Sequence, residues 1–157
     1  LMMSLSSKYS SKKSKYNKYI YIRRTDETSS GRQLKNEDEL IKSLLKIGFE
    51  IVYPENYSFQ EQISIFSNAK IVIGVHGSAL LNSIFCKKNS CVIELIPDLD
   101  FRPGIWLSTV MSGKNYHFFV GPSSGSLIEL KPEKFTIDVE PLLRKISGIL
   151  NLEEERN

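Results

Sequence analysis

The sequence predicts an α/β fold with a doubly wound, mostly parallel, Rossmann-like sheet, and three observations carry that prediction. Short aliphatic runs alternate with helical patterns from Lys18 to the end of the chain, which is the signature of strands joined by helices on the faces of one sheet. Runs such as KIVIGV and CVIELI are apolar at nearly every position, as strands buried on both faces must be. At 157 residues the chain is long enough for a single sizeable core and has the length of one domain.

The elements follow in order. KYIYIRR, Lys18 to Arg24, is the first predicted strand. After a polar loop, Asn36 precedes three acids and then Leu40, Ile41, Leu44 and Leu45. Asn36 is therefore expected to cap a helix whose first turn carries the negative charge its dipole favours, and Gly48 to end it. FEIVY, Phe49 to Tyr53, is the second strand; Ser58 and Glu61 form a capping box before a helix carrying Ile63 and Phe66. KIVIGV is the third strand, Ser78 to Cys86 a helix, and Cys91 to Ile96 the fourth strand. Arg102 to Gly113 reads as a helix and Tyr116 to Gly121 as a fifth strand. Gly121 to Ser126 is a loop, and Asp138 starts an amphipathic helix through Leu142, Leu143, Ile146 and Leu150.

Composition narrows the function classes. Apolar residues at 41% and charged residues at 25% are those of an ordinary globular protein. The net charge of +3 is concentrated at the start, because Lys8, Lys12, Lys13, Lys15, Lys18, Arg23 and Arg24 all precede Asp26. Residues 1–17 are too poor in aliphatics to fold alone and are expected to form a basic arm or linker, with residues 18–157 as the domain. No aromatic or amphipathic pattern extends that arm, so nucleic acid is not an expected partner. Cys86 and Cys91 match neither a zinc knuckle nor a redox pair, and two packed thiols are expected. No signal peptide or run of about 20 apolar residues stands in the sequence, so a cytoplasmic location without a transmembrane segment is the expectation. The chain opens on Leu1 instead of methionine, which points to a longer reading frame upstream.

In a doubly wound sheet, ligands bind at the carboxyl ends of the strands. That rule selects Arg23, Arg24, His76, Gly77, Ser78 and the region from Glu94 to Asp98. GVHGS, Gly74 to Ser78, combines small residues with free amides at a helix start, which suits a phosphate. Its spacing is neither GxGxxG nor a P-loop. His76 can donate to a phosphate oxygen or serve as a structural histidine. The order of His76 and Ser78 is wrong for a nucleophile elbow, and no second ligand stands at metal-binding distance in sequence from His76. His117, inside YHFFV, is expected to be packed or at an edge. Glu94 interrupts an apolar strand, and a buried acid must be paired. It is expected to bond an arginine of the first strand, a loop amide, or the hydroxyls of a ribose or sugar. Arg23, Arg24 and Arg32 suit a diphosphate through their guanidinium forks, or form a solvated cluster.

Taken together, RRT, GRQLKNEDEL and IVIGVHGSALLNSIFCKKNSCVIELIP resemble the family 61 glycosyltransferases over roughly residues 19–116, about two-thirds of the chain. The family's pattern has an arginine-bearing strand, R with NE downstream, and G-x-H-G-[AS]-x-L-[TL]-N before a strand ending in E-x-x-P. GVHGSALLN, with Asn82, is the most specific part. Serine at 78 and leucine at 81 are modest departures. The resemblance implies a two-domain GT-B enzyme of which this chain is the carboxyl-terminal, donor-binding half, its N-terminal acceptor-binding domain lying outside the chain. It further implies that His76, Gly74, Gly77, Ser78 and Asn82 lie at the donor, with Arg23 or Arg24 and Arg32 neutralising phosphate charge and Glu94 near the ribose.

The implied reaction is inverting and metal-independent. An acceptor hydroxyl of a glycan, such as a surface polysaccharide or capsule, attacks the anomeric carbon of a nucleotide sugar while the nucleoside diphosphate leaves. No cofactor is then needed beyond the donor itself, and positive groups, with His76 foremost, stabilise the leaving group. The alternatives are a nucleotide- or phosphate-binding module without transfer activity, and a protein-interaction domain that keeps only the fold.

Overall fold

The computed structural model describes residues 18–24, 33–98, 102–124 and 134–154. The expected basic arm, residues 1–17, and Arg32 lie outside the described residues. In chain order the elements are β1 (Tyr19–Ile22), β2 (Gln33–Leu34), α1 (Glu37–Lys46), β3 (Glu50–Val52), a short 3-10 helix (Pro54–Asn56), α2 (Phe59–Asn68) and β4 (Ile71–Val75). A longer 3-10 helix (Ser78–Phe85), β5 (Cys91–Pro97), α3 (Gly104–Met111), β6 (Asn115–Gly121), β7 (Lys134–Phe135) and α4 (Val139–Glu154) complete them.

Five strands form one all-parallel sheet in the order β3-β1-β4-β5-β6, as the alternating runs predict. Side chains alternate between two cores. Tyr21, Ile73, Ile93 and Leu95 pack with Leu40, Ile41 and Leu44 of α1 and Leu142 and Ile146 of α4. Ile20, Ile22, Val72 and Val92 pack on the other face with Ile63 and Phe66 of α2, Leu80 and Phe85 of the 3-10 helix, and Ile105 of α3. Helices cover both faces, so the sheet is doubly wound. Every residue of β5 is buried, and the two-sided burial explains why its sequence has no polar alternation.

Three local findings refine the expectations. The predicted helix after β4 is a 3-10 helix, because a period of three places Leu80, Ser83 and Cys86 on one inward ridge, all buried. Asn36 stands at the amino end of α1, yet its side chain makes no cap. Its Nδ2 donates to the Ile137 carbonyl at 2.8 Å and its Oδ1 accepts from the Ile137 amide at 3.1 Å, tying α1 to the segment before α4. Gln33–Leu34, in the polar loop expected before Asn36, and Lys134–Phe135, in a stretch to which no element was assigned, pair as a second, two-stranded parallel sheet. The capping box forms as expected, with the Glu61 amide donating to Ser58 Oγ and Glu61 Oε2 accepting from the Ser58 amide. Gly48, at φ +85°, ends α1 in the left-handed conformation that glycine adopts without strain.

Candidate donor site at the switch point

Strand order decides where a ligand fits. From β1 the chain moves outward to β3, then returns past β1 to β4 and continues through β5 to β6. The connections therefore part to opposite sides between β1 and β4, and at such a switch point the carboxyl ends of the strands are where doubly wound sheets take their ligands. Arg23 and Arg24 follow β1, and His76, Gly77 and Ser78 follow β4. Two segments far apart in sequence thus meet at one edge.

The two arginines part company there, because successive residues of an extended chain point to opposite faces. Arg23 turns to the α1 side, with Nε 3.3 Å from Glu37 Oε2 and Nη2 3.1 Å from Asp38 Oδ1. Glu37 also accepts from the Tyr21 hydroxyl at 2.7 Å, so Arg23 belongs to a network that anchors the first turn of α1. Burial raises the Glu37 carboxyl above its ordinary range, against the opposing pull of Tyr21 and Arg23. Arg24 turns to the other face. A Cβ built on Gly77 would overlap its guanidinium, so this glycine is what lets Arg24 lie against the turn between β4 and the 3-10 helix.

Within that turn the glycines have separate tasks. Gly74 is buried, and an added Cβ would meet Ile22 Cβ and Leu80 Cδ2 at 3.2 Å; its bareness lets the 3-10 helix close onto β1. Ser78 is exposed at the first position of that helix. Asn82 is half-buried, its Nδ2 donating to Gln62 Oε1 at 2.8 Å. Gln62 in turn donates to the carbonyls of Pro54 and Tyr57, which fixes the 3-10 helix against α2.

His76 and Glu94 form the centre. The His76 amide donates to the Leu95 carbonyl at 2.9 Å, extending the β4–β5 ladder by one residue. Its side chain is 8% exposed and that of Glu94 is fully enclosed. Glu94 Oε1 bonds His76 Nδ1, and Oε2 accepts from the Tyr116 hydroxyl. Both carboxylate oxygens are thereby engaged by a histidine and a tyrosine, where an arginine of β1, a loop amide or the hydroxyls of a ribose or sugar were expected. Where Glu94 is ionised it only accepts, and Nδ1 then carries the proton facing it. Arg24, His76, Glu94 and Tyr116 continue the alternation of one sheet face, the face covered by α2 and the 3-10 helix. Tyr116 was not singled out by sequence reasoning. Its signal was the strand period, which puts it on the Glu94 face of the neighbouring strand.

Among the described residues, no group of three or more His, Cys, Asp or Glu side chains is placed to hold a metal ion, and no helix is long and apolar enough to cross a membrane. Cys86 and Cys91 are buried thiols, not joined in a disulfide. His117 is half-buried on the edge strand β6, where burial and then the Lys145 charge lower its affinity for a proton.

Comparison with known proteins gives the geometry its context. The sequence pattern of the family described as Glycosyltransferase 61 matches residues 1–93. The chain is 32% identical over 72 residues to a xylan glycosyltransferase of Arabidopsis thaliana, covering 44% of this chain and 15% of that protein. It is 34% identical over 73 residues to a protein O-linked-mannose beta-1,4-N-acetylglucosaminyltransferase of Xenopus tropicalis, covering 44% of this chain and 12% of that one. An alpha-1,3-arabinosyltransferase of Oryza sativa subsp. japonica is 28% identical over 120 residues, 71% of this chain and 21% of its own length. These matches span about a fifth or less of the curated relatives. With residues 1–93 matched by the family pattern, more than half of its length, the chain belongs to glycosyltransferase family 61.

Proposed function

We propose that this chain is the donor-binding domain of a metal-independent, inverting glycosyltransferase, and that its ligand is a nucleotide sugar held at the crevice between β1 and β4. The observation that carries the reading is the convergence of the Arg24 guanidinium with the His76–Gly77 turn at the switch point. A guanidinium and an imidazole ring, with the exposed Ser78 at the start of the 3-10 helix, are suited to the oxygens of a diphosphate. Transfer forms a bond between an acceptor oxygen and the anomeric carbon and breaks the bond from that carbon to the diphosphate. The electron pair leaves with the phosphate, so groups that neutralise its charge lower the barrier. Arg24 and His76 Nε2 take that role. The acceptor, a glycan or polysaccharide hydroxyl, gives its proton to a base contributed by an acceptor-binding domain.

Two site assignments sharpen. Glu94 acts on the donor through His76, holding the ring with Nε2 toward the phosphate, and not at the ribose. Arg23 supports α1 and leaves phosphate contact to Arg24. The relatives' names, a xylan glycosyltransferase and a protein O-linked-mannose N-acetylglucosaminyltransferase, favour a carbohydrate acceptor as a class. Calorimetric titration of the chain with UDP, GDP and CMP in EDTA tests the reading. Saturable heat with one of them is expected, and no heat with any would overturn it.

A further inference from the structure

We propose that Tyr116 is a positioning residue for His76 acting through Glu94, an inference that deepens the donor-binding reading and rests on it for its effect on ligand affinity. The three side chains run diagonally across three neighbouring strands. Gly74 pairs with Glu94, so His76 lies two residues beyond Glu94 on β4; Phe118 pairs with Glu94, so Tyr116 lies two residues before it on β6. Diagonal neighbours on one face are within reach of an aromatic side chain, and the Tyr116 hydroxyl reaches Glu94 Oε2.

The chemistry of that contact gives it a task. The terminal torsion of a glutamate is broad and roughly two-fold, so a carboxylate held at one oxygen alone is free to rock. With Oε2 taken by Tyr116, Oε1 stays on His76 Nδ1 and the imidazole keeps one tautomer and one orientation. Burial, followed by the bond to Glu94 and its charge, pushes the phenol's ionisation well above its ordinary range; the group therefore remains a donor. The ring has a separable role. It stacks on Phe118 with centroids 6.2 Å apart and packs against the Ile20–Val92 core, contacts that phenylalanine would preserve. Among the described residues, Arg24 beside Gly77, Glu94 on β5 and Tyr116 on β6 are charged or titratable groups on the histidine's face of the sheet.

The test is nitrogen-15 NMR of the two histidines of the chain, with His117→Gln identifying the His76 signals. Wild type is expected to show a single Nδ1–H tautomer for neutral His76. Tyr116→Phe should fold, show mixed tautomers, and bind UDP roughly threefold more weakly, with no further loss when added to Glu94→Gln. Replacing Tyr116 by 3-fluorotyrosine, a more acidic phenol of nearly the same shape, should keep the single tautomer and shift the Nδ1–H resonance; this arm decides the matter if the phenylalanine variant does not fold. An unchanged His76 spectrum in both variants overturns the proposal even where UDP binds. A changed spectrum in a chain that binds no nucleotide upholds the positioning role and rejects the donor reading.

Discussion

Gly77 and Arg24 are read best as one feature, since the guanidinium fills the space a side chain would take. In Gly77→Ala the obstruction is the far end of a flexible arginine, so the fold should survive while Arg24 is displaced from the crevice. UDP affinity, measured by calorimetry, should fall by about threefold or more, or about 0.7 kcal/mol, with the thermal midpoint nearly unchanged. The arginine pair shows how far residues could be read from sequence. RR after a strand marked the carboxyl edge of the sheet. Which of the two faced the crevice depended on the register of β1, a property of pairing with β4 that the dipeptide alone does not carry. Glu94 was legible as an anomaly for the same reason a buried charge always is, but its partners lay 18 and 22 residues away.

Among the elements, α1 separates position from role. Asn36 sits where a cap belongs, yet its side chain forms a paired contact with the backbone of Ile137, 101 residues on. Asn36→Ala therefore strands a donor and an acceptor of a half-buried backbone at once, and should cost about 1–3 kcal/mol, read as a lowered denaturant midpoint. Asn36→Ser, able to cap but too short to hold both bonds, should not restore it. The Ser58–Glu61 box was legible because all its partners lie within four residues. The 3-10 helix was not, because its pitch is decided by which of Leu80, Ser83 and Cys86 must face the core, and by Gly74 admitting Leu80.

The whole molecule is legible in class because two-sided burial writes continuous aliphatic runs into the sequence, whereas strand order leaves no such mark. That order fixes the switch point between β1 and β4. The core beneath α2 buries the thiol of Cys86, whose ionisation rises from the ordinary 9.0 to about 12 through desolvation, with Lys114 opposing it. The folded state thus holds this proton longer than the unfolded chain. Its stability contribution is complete below pH 9 and is lost as pH rises toward 12. Cys86→Ala should show a shallower alkaline fall in thermal midpoint than wild type. The central claim, that a nucleotide diphosphate sits against His76 and Arg24, is tested most directly by titrating UDP, in EDTA, into wild type, His76→Ala and Arg23→Ala. The account predicts more than about tenfold weakening, or 1.4 kcal/mol, for His76→Ala and less than about twofold for Arg23→Ala; equal affinities for wild type and His76→Ala would contradict it.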